Sequence, residues 1–454
     1  MGSGAPDSTV SAPARSAALG TAGDPGTRLL GGPPAIDGAE PYDAHLRRLG
    51  PLPPDASPAD LRRLVHESGL TGRGGGQFPT AVKLDQAARA TRGAVGRALV
   101  VVNSSEGEPA SRKDRVLCEL RPHLVLDGAQ VAARSVGATE VVLYVHRHGR
   151  ASRAIENAIA ERAVADGAVT VPTGAAVRVV DAPRRYVAGE TSAVVSYLGG
   201  LGALPRRTGV PAAVAGVGGR PTVVGNAETI AHLALVARHG AAWFREVGSP
   251  GVPGSTLLTL AGGVVRPGEV VEVLGPATIG EVLARHGGLG HLPSAVLVGG
   301  YEGTWTDGAA AWGAPLDRAV LSLSGVPLGC GLVAPLGARC CGIAETSRIV
   351  RWLGGESAGQ CGPCVYGLPA VAGLLAELAA GAATRRDLRR LRELTGALRG
   401  RGACGHPTGV AGLVESALDA FAGEVRAHLT GRACASSGEL SGLPLPLRRE
   451  GSGP

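Results

Sequence analysis

The sequence predicts an α/β domain on a parallel sheet, then a small α+β module, then a closing helical bundle. Three observations carry this. Apolar runs that end in polar turns alternate with helical segments from Ala98 to Asp181. From about Thr256, short strands and Gly/Pro turns surround one helix. After Leu332, leucines recur at helical spacing. A chain of 454 residues is too long for one ordinary core, so several domains are expected.

Residues 1 to about 40 are rich in Ala, Pro, Gly and Ser without a period, and read as a disordered arm. A short helix is predicted over Pro58–Ser68, with Leu61, Leu64 and Val65 on one side. Ala98–Asn103 is a continuous apolar run ending in a polar turn, which predicts a buried parallel strand. A helix over Pro122–Val136, a strand over Glu140–His146, a helix over 151–166 and a strand over Val177–Asp181 complete a βαβαβ rhythm. In the small module, strands are expected at Thr256–Leu260, Gly263–Val265, Val270–Val273 and Ala295–Val298, around a helix from Thr278 to His286. The bundle is expected from two stripes: Leu388, Leu391, Leu394 and Leu398, and then Leu413, Val414, Ala417, Leu418, Phe421 and Val425.

Composition excludes several classes. Aromatics make up 3% of the chain, so the cores must rest on Ala, Val and Leu. The chain holds only two lysines, Lys83 and Lys113, and heavy Ala, Gly, Arg and Pro usage resembles the codon bias of a GC-rich genome. A net charge of +7 without an aromatic-interleaved basic patch argues against nucleic acid. There is no apolar run near the ~18–20 residues that would span a bilayer, and no signal-peptide pattern at the N-terminus. Eight irregularly spaced cysteines point to reduced thiols or metal ligands rather than a disulfide framework.

The most informative stretch is Gly72–Lys83, where Gly72, Gly74, Gly75 and Gly76 surround Arg73 and Lys83 stands just beyond. Glycine lets backbone N–H groups converge on a phosphate, and a compact ammonium adds a mobile charge. Asn103-Ser-Ser-Glu106-Gly-Glu108-Pro109 follows a buried strand directly, at the strand end where ligands of such sheets bind. Two carboxylates there suit hydrogen bonds to a ribityl chain or a nicotinamide, or else they cap the next helix. Tyr186 to Ser192 places an aromatic face, Gly189 and Glu190 in a turn, and Asn226 precedes a helix holding Glu228 and Thr229 in its first turn.

Cys361-Gly-Pro-Cys364 opens a helix, and Cys404 and His406 follow between later helices. Thiolates are soft ligands favoured at helix N-termini, so the arrangement suggests a metal or cluster site. A thioredoxin-type pair lacks its preceding strand, and inert buried thiols remain the plain alternative. Cys340-Cys341 is too constrained for two ligands to one ion and reads as packing, while Cys118, Cys330 and Cys434 have no visible partner.

Taken in order, these motifs resemble the flavin-binding, NADH-oxidising subunit of respiratory complex I. That family comprises the F subunits of NADH-quinone oxidoreductase and their counterparts in NAD-linked hydrogenases and formate dehydrogenases. The similarity runs from about Asp43 to Leu429. It implies a Rossmann-like FMN-binding domain over 41–245 and a small ubiquitin-like α+β (soluble-ligand-binding β-grasp) domain over 246–328. A C-terminal helical bundle carrying an iron–sulfur site would cover 329–432, with a tail from 433 to 454. It further implies that Gly72, Arg73, Gly74, Gly75 and Lys83 cradle FMN, and that Phe78 stacks near the bound dinucleotide. Asn103, Glu106, Tyr186, Gly189, Glu190, Asn226 and Thr229 would complete the flavin site, with Glu108 at the nicotinamide as the catalytic candidate.

The chain departs from the family in three places. The family's cluster motif C-x-x-C-x-x-C begins here with Ala358, leaving Cys361, Cys364 and Cys404. The fourth ligand is then His406, water or a nearby carboxylate; otherwise the site holds a three-iron cluster or none. Ser105 stands where the family has aspartate, and Thr191 where it has a second glutamate.

The resemblance thus implies a cytoplasmic NAD(P)H dehydrogenase. It would move a hydride from NAD(P)H onto FMN and pass electrons through an iron–sulfur cluster to a ferredoxin-like or membrane redox partner. A clusterless FMN-dependent diaphorase and a non-catalytic ligand-binding scaffold are the alternatives.

Overall fold

The computed structural model describes residues 19–431 and 443–446, apart from 25, 35, 37, 94–96, 166–174 and 208. Strand β1 (Leu19–Gly20) is followed by helices α1 (Tyr42–Leu49), α2 (Pro58–Ser68) and α3 (Thr80–Gly93). Helix α2 starts where the Ser57 side chain accepts the Asp60 N–H and Pro58 presets the first turn; it stops at Gly69, whose φ is 70°. The sheet core follows as β2 (Leu99–Asn103), α4 (Lys113–Leu120), α5 (Pro122–Val136), β3 (Glu140–Val145), α6 (Arg150–Ala165) and β4 (Ala176–Asp181). A single turn at Tyr186–Gly189 leads into α7 (Thr191–Leu198), and β5 (Thr222–Asn226) feeds α8 (Ala227–Arg245).

These strands form one parallel sheet in the order β4-β3-β2-β5. The apolar residues of β2 and β3 are buried, since helices cover both faces of such a sheet. The chain winds outward from β2 through β3 to β4, then returns to the other side of β2. The strand order therefore reverses between β2 and β5, and a crevice opens beyond their carboxyl ends. Register places Asn103 directly opposite Asn226 there.

The small module contributes β6 (Thr256–Leu260), β7 (Val270–Val273), α9 (Ile279–Arg285), β8 (Ala295–Val298), β9 (Thr304–Asp307), α10 (Gly308–Gly313) and α11 (Arg318–Leu323). Its sheet runs β1-β7-β6-β10-β8-β9, where β10 is Leu332–Pro335. The bundle then comprises α12 (Gly342–Glu356), α13 (Leu368–Ala379), α14 (Arg385–Leu398), α15 (His406–Ala420) and α16 (Ala422–Leu429). Leu391, Leu398, Leu413, Val414, Leu418 and Val425 share its buried core, as the stripes predict.

Four expectations are corrected. The arm predicted to be disordered is ordered from Leu19: β1 pairs with β7, and Leu29 and Leu30 are fully buried because Glu272 accepts both their N–H groups. Residues 1–18 lie outside the described set. The boundary at 328 cuts the second sheet, because β10 pairs with both β6 and β8 and is a central strand. Gly263–Val265 is a loop, since Gly262 has φ +70° and turns the chain out of the ladder. In the predicted tail, Leu443 is buried and the Pro444 carbonyl accepts the Tyr301 hydroxyl; Cys434 lies outside the described residues.

Candidate functional site

The crevice at the β2/β5 reversal is a cavity of about 400 Å³, a size suited to a small-molecule cofactor. Gly74, Gly75, Asn103, Glu106, Glu108, Tyr186, Gly189 and Asn226 line it, so candidates far apart in sequence share one wall. Asn103 Nδ2 donates to the Gly189 carbonyl at 2.8 Å, which ties the first strand end to the Tyr186 turn. Glycine is required at two of these approaches. A Cβ on Gly107 would stand 2.6 Å from the Tyr186 carbonyl oxygen, and Gly75 has φ +101°.

The two carboxylates of the strand-end loop serve different ends. Glu106 accepts from Ser111 Oγ (2.5 Å) and from the N–H groups of Asp114 and Arg115, so it caps α4 while lining the cavity. Burial, then Asp114, raises its pKa. Glu108 accepts the Tyr301 N–H at 2.8 Å and faces the Tyr186 hydroxyl at 3.5 Å. Burial pushes Glu108 up to about 8, against the pull of the Tyr301 and Ala110 N–H groups.

Other candidates stand behind or beside the wall. Arg73 N–H donates to Thr229 Oγ1 at 2.8 Å, and the Asn226 side chain caps α8, so the glycine loop is anchored on that helix. Gly72 N–H donates to the Phe78 carbonyl at 2.9 Å, closing the loop. Lys83 Nζ donates to the Val224 carbonyl at 2.7 Å, and burial lowers its pKa. Phe78 is 47% exposed, at the surface of the loop. Glu190 caps α7 by accepting the Ser192 and Ala193 N–H groups, and lines a separate cavity of about 710 Å³ with Thr191, Arg206 and Arg207.

Sequence reasoning missed several wall residues. Gly299, Glu302, Gly329 and Cys330 come from the small module, whose turns abut the crevice only in the folded chain. Lys113, noted only as rare, is buried between Asp114 and Glu228, each 2.8 Å away. Burial lowers its pKa, but those carboxylates outweigh it and the net shift is upward. The scarcity of lysine was the one usable signal.

Cys361, Cys364 and Cys404 come together, and Cys404 lines the cavity of about 710 Å³ that holds Glu190 and Thr191. Burial, then Cys361, raises Cys364 to about 12, and Cys404 is also its electrostatic neighbour. Burial opposes ionisation of Cys361, but the N–H groups of Ala403 and Cys364 prevail and lower its pKa. The structure does not bring His406 into this group. Its Nδ1 meets Glu302 Oε1 at 2.5 Å and its Nε2 meets the Leu353 carbonyl at 3.0 Å, so both ring nitrogens are engaged. Among the described residues no three His, Cys, Asp or Glu side chains close around a single ion. The thiols of a cluster bind different irons and are not held to that spacing. Cys341, read as packing, also caps α12 and bonds Glu424 and His428. Cys118 and Cys330 bond Ser104 Oγ and the Gly299 carbonyl.

Comparisons with known proteins agree with this layout. Residues 65–235 match the Nuo51 FMN-binding domain, and residues 344–428 match the NADH-ubiquinone oxidoreductase-F iron-sulfur binding region. An F subunit of NADH-quinone oxidoreductase in Rhizobium meliloti (strain 1021), the second of that name, is 32% identical over 403 residues, covering 87% of this chain and 93% of that protein. The F subunit of NADH-quinone oxidoreductase in Mycobacterium tuberculosis (strain ATCC 25618 / H37Rv) is 31% identical over 411 residues, covering 86% and 88%. The crystal structure of NAD+-reducing NiFe-hydrogenase in the air-oxidized state superposes with a TM-score of 0.75 at 30% identity. That match covers 87% of this chain but only 66% of the hydrogenase chain. With the flavin-type crevice, the thiol group and full-length relatives in one order, the chain belongs to the family of NADH-quinone oxidoreductase F subunits.

Proposed function

We propose that this chain admits electrons from a reduced nicotinamide, moving a hydride from NADH onto FMN and passing electrons through an iron–sulfur centre to a partner protein. The observation that carries this is the crevice at the β2/β5 reversal, where the glycine loop, both strand-end asparagines, Glu108 and Tyr186 face one another. When bound, FMN accepts electrons as a pair and releases them singly, and the cluster carries single electrons.

The residues fit these groups. Gly74 and Gly75 leave backbone open to an anion, as phosphate binding requires. Asn103 and Asn226 offer amide groups at the strand ends, fixed by Gly189 and by Asp114, which accepts from Asn226 Nδ2 at 2.9 Å. Burial raises Glu108 to about 8, which favours its protonated form near neutral pH, with the Tyr301 N–H donating to it and the Tyr186 hydroxyl 3.5 Å away. Cys361, Cys364 and Cys404 would supply three thiolate ligands to a bound cluster; Ala358 has no donor for the fourth corner. That missing donor favours a second reading, a flavin-only diaphorase.

Relatives named as subunits of NADH-quinone oxidoreductase support a protein electron acceptor. A ferredoxin-like or membrane redox subunit is the class proposed, in a cytoplasmic setting. Among the described residues, no helix is long and apolar enough to cross a membrane. An absorption spectrum of anaerobically purified protein tests the reading. Flavin bands over broad visible absorption are expected; flavin alone favours the diaphorase, and neither rejects both.

A further inference from the structure

Two buried arginines back the glycine end of the cavity with most of their donors unused. Arg73 in the glycine loop is fully buried, and Arg318 at the start of α11 is 1% exposed. Arg73 Nη2 donates to the Pro253 carbonyl, while its Nε and Nη1 meet no acceptor. Arg318 Nη1 donates to the Gly329 carbonyl at 3.1 Å, while its Nε and Nη2 meet none. The carboxylate that attracts both, Glu228, already holds Lys113 Nζ at 2.8 Å and the Leu257 N–H at 2.9 Å. Burial, and then the neighbouring Arg318 charge, lower Arg73 to about 10. Buried cations that repel one another and leave four donor atoms bare call for an anion.

Glycines that adjoin or touch the pair line the cavity, while the two side chains themselves lie behind its wall. Gly74 and Gly75, next to Arg73, line it, and so does Gly329, whose carbonyl Arg318 holds. A Cβ on Gly75 would stand 3.7 Å from the Gly329 carbonyl carbon, so the two glycine turns lie against each other. Lys83, the other charge expected at a phosphate, also donates to the Val224 carbonyl and supplies only one positive charge. If Arg318 served only to pin Gly329, one neutral donor would suffice, and its charge would be an unexplained cost.

We propose that Arg73 and Arg318 form a paired-guanidinium counter-charge for the phosphate of the bound flavin, with Arg318 of the small module as a specificity-determining residue for phosphorylated flavin. This rests on the flavin reading above. Two guanidiniums match a phosphate dianion in charge, and they come from two domains, so the phosphate also couples those domains.

The test titrates flavin-free protein with FMN and with riboflavin, which lacks the phosphate, and reads quenching of flavin fluorescence. Arg318→Met is expected to weaken FMN binding about tenfold while leaving riboflavin within twofold of native. Arg318→Lys, which keeps the charge on a shorter reach, should fall between, with at least a threefold drop in the FMN-to-riboflavin preference. That variant decides the matter if Arg318→Met fails to fold. An unchanged preference, or an equal loss for both flavins, overturns the proposal. Native protein that binds neither flavin overturns the flavin reading itself.

Discussion

Glu108→Gln isolates the most perturbed carboxyl of the crevice. Burial raises Glu108 to about 8 from an ordinary 4.5. At about 1.4 kcal/mol per tenfold change in ionisation, that gap corresponds to roughly 5 kcal/mol. The sign follows from which state holds the proton. Below pH 4.5 the carboxyl is protonated folded and unfolded, and its full contribution is present. Above that the unfolded chain ionises while the folded chain keeps its proton, so stability falls until the folded group titrates near pH 8. Glutamine has no proton to lose, and its single side-chain oxygen can keep the 2.8 Å bond from the Tyr301 N–H while giving up the longer 3.4 Å contact from the Ala110 N–H. Urea unfolding of flavin-free protein between pH 5 and pH 8.5 is therefore expected to show native stability falling with pH, and a flatter curve for Glu108→Gln. The variant should gain up to a few kcal/mol by the alkaline end. Difference infrared spectroscopy at pH 7 should show a protonated carboxyl stretch in the native protein that the variant lacks. Parallel stability curves and an unchanged carboxyl band together would show that Glu108 is an ordinary ionised glutamate.

Three further outcomes are expected. Lys83→Ala should lower FMN retention about tenfold, because a buried ammonium beside the loop is worth roughly 1.5–3 kcal/mol to an anion; unchanged flavin content in purified protein rejects the role. Ala358→Cys restores a thiol at the missing corner, so iron and sulfide per chain should rise and the EPR signal of the reduced protein should change; if neither moves, position 358 is not a corner of the site. Thr191→Glu should shift kcat/KM toward NADH over NADPH by at least tenfold, since Thr191 is exposed in a cavity shared with Arg206 and Arg207 and a carboxylate there repels a 2′-phosphate. Ratios that match native would remove this position from cofactor choice. Arg184 and Arg185, the upstream arginines, line a different cavity of about 440 Å³.

Sequence alone determined the features governed by short-range chemistry. Helices α2 and α5 fall where their N-terminal prolines and closing glycines place them, at Pro58–Ser68 and Pro122–Val136. The strand runs at Leu99–Asn103 and Glu140–Val145 follow from continuous apolar stretches that only a doubly covered sheet can bury. The glycine loop and both strand-end asparagines were legible because glycine and rare residue types leave a local mark. Tertiary structure alone decided what depends on distant partners. Residues 19–40 have a disordered composition, yet Glu272 collects the Arg28, Leu29 and Leu30 N–H groups and β7 pairs β1. His406 stands two residues from Cys404, but Glu302 and the Leu353 carbonyl turn its ring away from the thiols. Glu302 and Cys330 reach the crevice, and Arg318 stands behind Gly329 there, because β10 carries the small module's turns against it. Sequence spacing encodes a residue's own backbone preferences; which groups from other elements satisfy its hydrogen bonds and charge is set only when the chain closes on itself.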